Sequence, residues 1–152
     1  MNRFILLFSI LILSVSCTKE LDRKSVINEK SLDDQVTEAY LKGLESLEEG
    51  DVIFAAKKFN EVEILFPQSD LAPKSSLMAA YSYYTQDYYE DTIMELQRFL
   101  RIYPKDKNLD YAYYLLAISH YEQIVDEKKD TFSILKAKEY FEYIIANYPN
   151  TE

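Results

Sequence analysis

Residues 71–104 read LAPKSSLMAAYSYYTQDYYEDTIMELQRFLRIYP, and this stretch decides the fold. Pro73 sits where a first helical turn tolerates it, because its missing N–H would have had no partner there. Leu77, Ala80, Tyr81 and Tyr84 follow at helical spacing and predict one apolar face. Ser69 or Asp70 is placed to cap that helix. The polar turn Gln86-Asp87 breaks the pattern, and Tyr88, Thr92, Leu96, Phe99 and Leu100 rebuild it. Tyr103-Pro104 ends it, since proline cannot continue a helix and pushes the residue before it out of the αR region. Two apolar-faced helices joined by a short turn predict an antiparallel hairpin.

The same pattern recurs on both sides. Upstream, Ser31 and Asp34 form a capping arrangement, and Val36, Tyr40, Gly43, Leu44 and Leu47 share a face. Gly50-Asp51 stops that helix, and Ile53, Phe54, Ala56, Phe59, Val62 and Leu65 are assigned to the face of the next, which ends at Phe66-Pro67. Downstream, a helix from about Asn108 carries Tyr111, Tyr114, Leu115, Ile118 and Tyr121. Its partner carries Ala137, Phe141, Ile144 and Ile145 and ends at Tyr148-Pro149. The three aromatic-Pro pairs are 37 and 45 residues apart, against a tetratricopeptide period of ~34. Twelve residues before each proline stands a small residue (Ala55, Thr92, Ala137), and eight before it a large apolar one (Phe59, Leu96, Phe141). Gly43, Ala80 and Ala117 are their small partners on the first helices, so paired helices can approach closely. A longer link accounts for the 37, and an insertion at 126–133 for the 45. An all-α tetratricopeptide solenoid of three helix hairpins follows, with repeats at approximately 31–67, 68–104 and 105–149; the alternative is an ordinary six-helix bundle.

Composition narrows the function. The 152 residues are 48% apolar and hold two glycines, four prolines, one cysteine, one histidine and no tryptophan. Glycine-rich phosphate loops, intrachain disulfides and Cys/His zinc sites are excluded by counting. Seventeen basic against 26 acidic side chains give a net charge of −9, which repels phosphate backbones and excludes nucleic acid as an expected partner. Paired carboxylates (Glu48 and Glu49, Asp126 and Glu127) read as solvated charge. His120 lies with Tyr113, Leu116 and Ala117 on a packing side and is expected to be satisfied there. No metal ligand set or catalytic residue is expected, nor any enzymatic activity. Arg98 and Arg101 have two open roles, pairing a carboxylate or favouring a helix C-terminal dipole.

The first 30 residues differ from the body. Arg3 precedes an apolar run, Phe4 to Leu13, then Ser14-Val15-Ser16 and Cys17, the layout of an export signal. The run is shorter than the ~20 residues a membrane span requires. It resembles a bacterial lipoprotein signal peptide, with Ser14 where Leu is usual and Leu13 one place back. The resemblance implies removal of residues 1–16 and a lipid on Cys17, S-diacylglycerol plus an N-acyl chain. No other cofactor is expected. The alternative is a secretory signal whose cysteine is incidental. Thr18 rather than Asp after the cysteine implies, in lipoproteins of this kind, transfer to the outer membrane. Residues 17–30 are then a lipidated N-terminus and tether.

The runs Tyr40 to Asp51, Phe66 to Lys74, Ala80 to Tyr84, Arg98 to Pro104 and Asp110 to Leu115 resemble the BamD family, tetratricopeptide lipoproteins of the outer-membrane β-barrel assembly machinery. Family members carry five repeats, so the resemblance implies a truncated or partial sequence. It also implies a non-enzymatic scaffold lipid-anchored on the periplasmic face of the outer membrane in a Gram-negative bacterium. Its partners would be a BamA-like barrel-forming subunit, other assembly-complex lipoproteins and unfolded outer-membrane β-barrel proteins. The first helices of such repeats line a concave groove, here with Tyr40, Leu44, Leu77, Tyr81, Tyr84, Tyr111 and Tyr114. Tyrosine offers an apolar face and a hydrogen-bonding tip, which suits a peptide; the same stripe is also what a core would need. The competing function is another envelope adaptor, such as a Tol-Pal-associated periplasmic coordinator.

Overall fold

In the computed structural model the described residues are 30–125 and 130–151. The signal segment 1–16, Cys17, the tether up to residue 29, and Asp126 and Glu127 lie outside them. Among the described residues six helices follow one another: α1 Leu32–Glu49, α2 Val52–Leu65, α3 Leu71–Tyr84, α4 Tyr89–Ile102, α5 Leu109–Glu122 and α6 Thr131–Asn147. They form three hairpins, α1–α2, α3–α4 and α5–α6. Each helix packs on its neighbours in sequence, and α3 also meets α5, so first helices of successive hairpins line one side. This is the tetratricopeptide-like solenoid expected from the repeat.

Local chemistry accounts for the boundaries. Ser31 Oγ accepts the Asp34 N–H at 3.1 Å and caps α1. Gly50, at φ 84°, closes the same helix in the left-handed conformation. Its N–H donates to Leu47 at 3.2 Å and the Asp51 N–H to Ser46 at 2.9 Å, a Schellman ending. Asp51 then caps α2 by accepting the Phe54 N–H at 3.1 Å. Of the two candidate caps before α3, the serine acts: Ser69 Oγ accepts the Leu71 N–H at 3.1 Å, and the Asp70 side chain makes no cap bond. Phe66, Tyr103 and Tyr148 end the second helices in one shared conformation, φ −147°, −118° and −130° with ψ 74°, 56° and 54°. The proline after each keeps this residue out of the αR region and stops the helix.

Packing follows the small residues. Phe59 is fully buried with Ala55, Ala56 and Ala79, with Tyr40, Leu44 and Leu47 laid against them. Leu96, Phe99, Leu115 and Leu116 form the larger cluster joining the second and third hairpins. Gln86 Nε2 donates to Gly50 O at 2.9 Å and ties the turns of the first two hairpins together. Five positions expected on packed faces are corrected, Tyr88 (43% exposed) and Tyr121 (58%) among them. Ile53 is 59% exposed and Phe54 40%, while Val52 and Ala55 take the buried side of α2. Ile145, 73% exposed, likewise points away from α5. In both helices apolar residues run on around the cylinder, so spacing alone did not mark the packed face.

Candidate peptide groove

The first helices build an apolar groove from residues that the chain must partly bury to hold the hairpins together. A cavity of about 530 Å³ opens between α3 and α5, floored by Leu77, Met78, Tyr81 and Tyr111 and edged by Lys74 and Asn108. A second cavity of about 530 Å³ continues from it, lined by Asp110, Tyr111, Tyr114, Ile144 and Thr151. Tyr111 lines both, so the two cavities adjoin at its ring across the second and third hairpins.

The seven residues singled out from the sequence divide by role. Tyr111 and Tyr114 are exposed and Tyr81 and Tyr84 half-buried. Leu77 is a core residue that only borders the first cavity. Tyr84 stacks at a tilt on Tyr89, ring centroids 6.0 Å apart, and packs on the larger core cluster. Tyr40 and Leu44 cover the Phe59 cluster, and the Tyr40 ring meets Phe59 edge-on at 5.5 Å. Lys74 links the two groups: its Nζ lies 5.2 Å from the Tyr40 ring centroid, and the same side chain edges the first cavity. Lys74, Met78, Asn108 and Ile144, with the charged or polar Asp106, Lys107, Asp110 and Thr151, are lining residues that sequence reasoning missed. Lys74 is one turn past the helix start set by Pro73, which was the signal available for it.

Electrostatics suit neutral hydrogen bonding. Burial, then the neighbouring Tyr81, Tyr84 and Tyr114, raise the Tyr111 pKa above its ordinary value. Burial, then Glu122 and Tyr114, do the same for Tyr84. These phenols therefore stay protonated at neutral pH, each able to donate one hydrogen bond and accept others.

Away from the groove, Arg98 resolves the choice left open in the sequence. Its guanidinium reaches Glu63 Oε2 at 2.5 Å, Glu95 Oε2 at 2.8 Å, Asn60 Oδ1 at 2.9 Å and Ser76 Oγ at 3.2 Å. Tyr103 completes the node by donating to Glu63 Oε1 at 2.8 Å. Burial alone would lower the Arg98 pKa, but the hydrogen bonds with Glu63 and Glu95 outweigh it and hold the group more firmly charged. Arg101 remains exposed in the last turn of α4, where its charge meets the helix dipole favourably. Glu48 and Glu49 are exposed, as solvated charges would be. His120 corrects the expectation of a satisfied ring, since it is buried yet neither ring nitrogen has a hydrogen-bond partner. Among the described residues, no group of three potential ligands could hold a metal ion, and no helix is long and apolar enough to cross a membrane.

Comparison with known proteins agrees with this architecture. The family model YfiO, described as outer membrane lipoprotein, matches residues 32–152. A relative from Caulobacter vibrioides, named outer membrane protein assembly factor BamD, is 35% identical over 113 residues, which is 74% of this chain and 37% of the relative. The protein of the same name from Rickettsia prowazekii is 32% identical over 113 residues, 74% of this chain and 45% of the relative. That from Neisseria gonorrhoeae is 34% identical over 80 residues, 53% of this chain and 30% of the relative. The chain thus spans less than half the length of these relatives. With its hairpins, their aromatic-Pro endings and a family match over all three, the chain belongs to the YfiO/BamD family of outer membrane lipoproteins.

Proposed function

We propose that this chain serves in a non-enzymatic scaffold and substrate-recognition subunit for assembly of β-barrel proteins into the outer membrane. The adjoining cavities lined by Tyr81, Tyr111 and Tyr114 carry the reading, because a peptide-wide apolar floor with phenol donors fits an extended segment of an unfolded client. The names of the relatives support the same role and give no support to a Tol-Pal coordinator. Cys17 would bear the diacylglycerol and N-acyl chains that anchor the body to the periplasmic face of the outer membrane. Several acyl chains, at ~0.8 kcal/mol for each buried CH₂, give stable attachment. The partners are unfolded barrel proteins in the groove, with a BamA-like subunit and other assembly lipoproteins around the solenoid.

The test uses the full-length protein with a photo-crosslinking residue at Tyr81 or Tyr111, and at exposed Ile53 as control. Unfolded barrel client is expected to crosslink at both groove positions and not at Ile53. A BamA-like subunit is expected to co-purify, and radiolabelled palmitate to enter the wild type but not Cys17→Ala. Equal crosslinking at Ile53 overturns the groove, and Tol-Pal components in place of the barrel subunit overturn the function. Label retained in Cys17→Ala overturns the anchor.

A further inference from the structure

The only histidine of the chain occupies an unusual position. His120 is 4% exposed in the last turn of α5, and neither Nδ1 nor Nε2 has a hydrogen-bond partner. Its ring instead lies between aromatic groups of α6, stacked on Tyr140 at 5.8 Å and 19°, and edge-on to Phe132 at 6.1 Å. The neutral ring is thus used as a flat apolar wedge.

That wedge belongs to a thin interface. Ala137 is the one buried residue among those of α6, and the packing of α6 is on α5. Contacts through His120 to Tyr140 and to Phe132, itself 68% exposed, are part of what fastens the amino-terminal half of α6.

Among the described residues, the charged groups around the ring bear on what a proton would do. From α4, Glu90 edges a shallow cavity that His120 and Phe132 also line. From α6, Lys136 disfavours an imidazolium and Glu139 favours one. These two are paired with each other at 2.7 Å, and Lys136 Nζ already lies 5.8 Å from the Tyr140 ring centroid. On α5 itself, Glu122 is exposed beyond the ring. The C-terminal end of α5 and the aromatic faces would also favour a cation. Burial outweighs them: it is the largest influence on the ring and, with Lys136 second, holds the His120 pKa below its ordinary value. A protonated ring would present two N–H donors, neither of which is hydrogen-bonded in this packing.

We propose that His120 is an acid-sensitive latch: neutral, it fastens the amino-terminal half of α6 to α5; protonated, it releases that half. The sign follows from linkage. A buried base with a depressed folded pKa leaves stability intact above the unfolded value of about 6.5 and loses it as pH falls from there through the folded value.

The test combines NMR titration of the single imidazole with hydrogen exchange of the chain at about pH 7.5 and about pH 5, corrected for intrinsic rates. Wild type is expected to titrate below about 6.5 and to open the amino-terminal half of α6 at least ~5-fold more at the lower pH, with α2 and α3 changing less than ~2-fold. His120→Phe and His120→Gln are expected to lose that selective rise. A midpoint at or above the ordinary value, equal acid opening in all three hairpins, or an unchanged rise in the variants overturns the latch. If His120→Phe fails to fold, His120→Gln and the wild-type titration still decide.

Discussion

Gly43 shows how finely one residue sets the approach of α1 to α2. A Cβ built there would lie 2.7, 2.8 and 2.9 Å from three atoms of the Phe59 ring. Phe59 is fully buried and held edge-on by Tyr40, so the ring cannot swing clear. Alanine would favour the helix itself by ~1 kcal/mol, whereas overpacking a closed site costs ~1–3 kcal/mol. Gly43→Ala is therefore predicted to destabilise the first hairpin by about 1–2 kcal/mol, seen as a lower urea midpoint with an unchanged slope. Phe59→Leu in the same chain should relieve part of the penalty. A Gly43→Ala protein with a raised midpoint would show that the helices have room to spare. The role of this glycine was legible in the sequence, because the small-residue position repeats as Ala80 and Ala117, both fully buried.

Helices in this fold are joined by polar as well as apolar contacts, and the Arg98 node is the main case. It ties α4 to α2 through Glu63 and Asn60 and to α3 through Ser76. The Glu63 side chain is only 10% exposed and that of Arg98 29%. Truncating one partner leaves the other charge desolvated, which costs ~3–5 kcal/mol for a fully buried pair. Arg98→Ala is predicted to cost about 2–4 kcal/mol, since part of the guanidinium reaches solvent, and Arg98→Lys should recover little because the fork geometry is lost. A double-mutant cycle with Glu63→Ala checks this: additive losses would mean that the two side chains are not coupled. This element-level link was not readable from the chain. Glu63 and Arg98 are 35 residues apart, and each sits in a charged, partly apolar stretch with several possible partners. What was readable was local or periodic, namely the Ser31 cap, the Gly50 ending and the aromatic-Pro stops. Where apolar residues crowd a helix on all sides, as from Val52 to Ala56, the period no longer picks out a face, and Ile53 and Phe54 were misassigned for that reason. The groove was legible as a stripe of tyrosines, but whether each one faced outward depended on how closely α3 and α5 approach.

At the scale of the whole molecule, a solenoid gains stability from each hairpin and from each interface between hairpins, so its members need not respond alike to the same insult. Among the described residues, the α3–α4 hairpin is packed on both sides, by α2 and by α5, whereas α1 packs on α2 and α6 on α5. Phe99 on α4 is fully buried in the cluster that joins the second and third hairpins, while Phe141 on α6 is only half-buried. Phe99→Ala should cost ~3–5 kcal/mol as a core cavity. Because it weakens the central hairpin, it should lower hydrogen-exchange protection in α3 to α6 together. Phe141→Ala removes less buried surface and is predicted to cost about 1–2 kcal/mol, with the loss of protection confined to α6 and the end of α5 that supports it. Native-state exchange on both variants separates the cases. If Phe141→Ala reduced protection in α1 and α2 as much as in α6, the three hairpins would be opening as one unit, and local release of α6 would have no energetic basis. If the loss stays local, the outer helix can move while the Phe59 and Leu96 cores hold. That independence is what the proposed groove would need for its far wall to adjust without unfolding the near one.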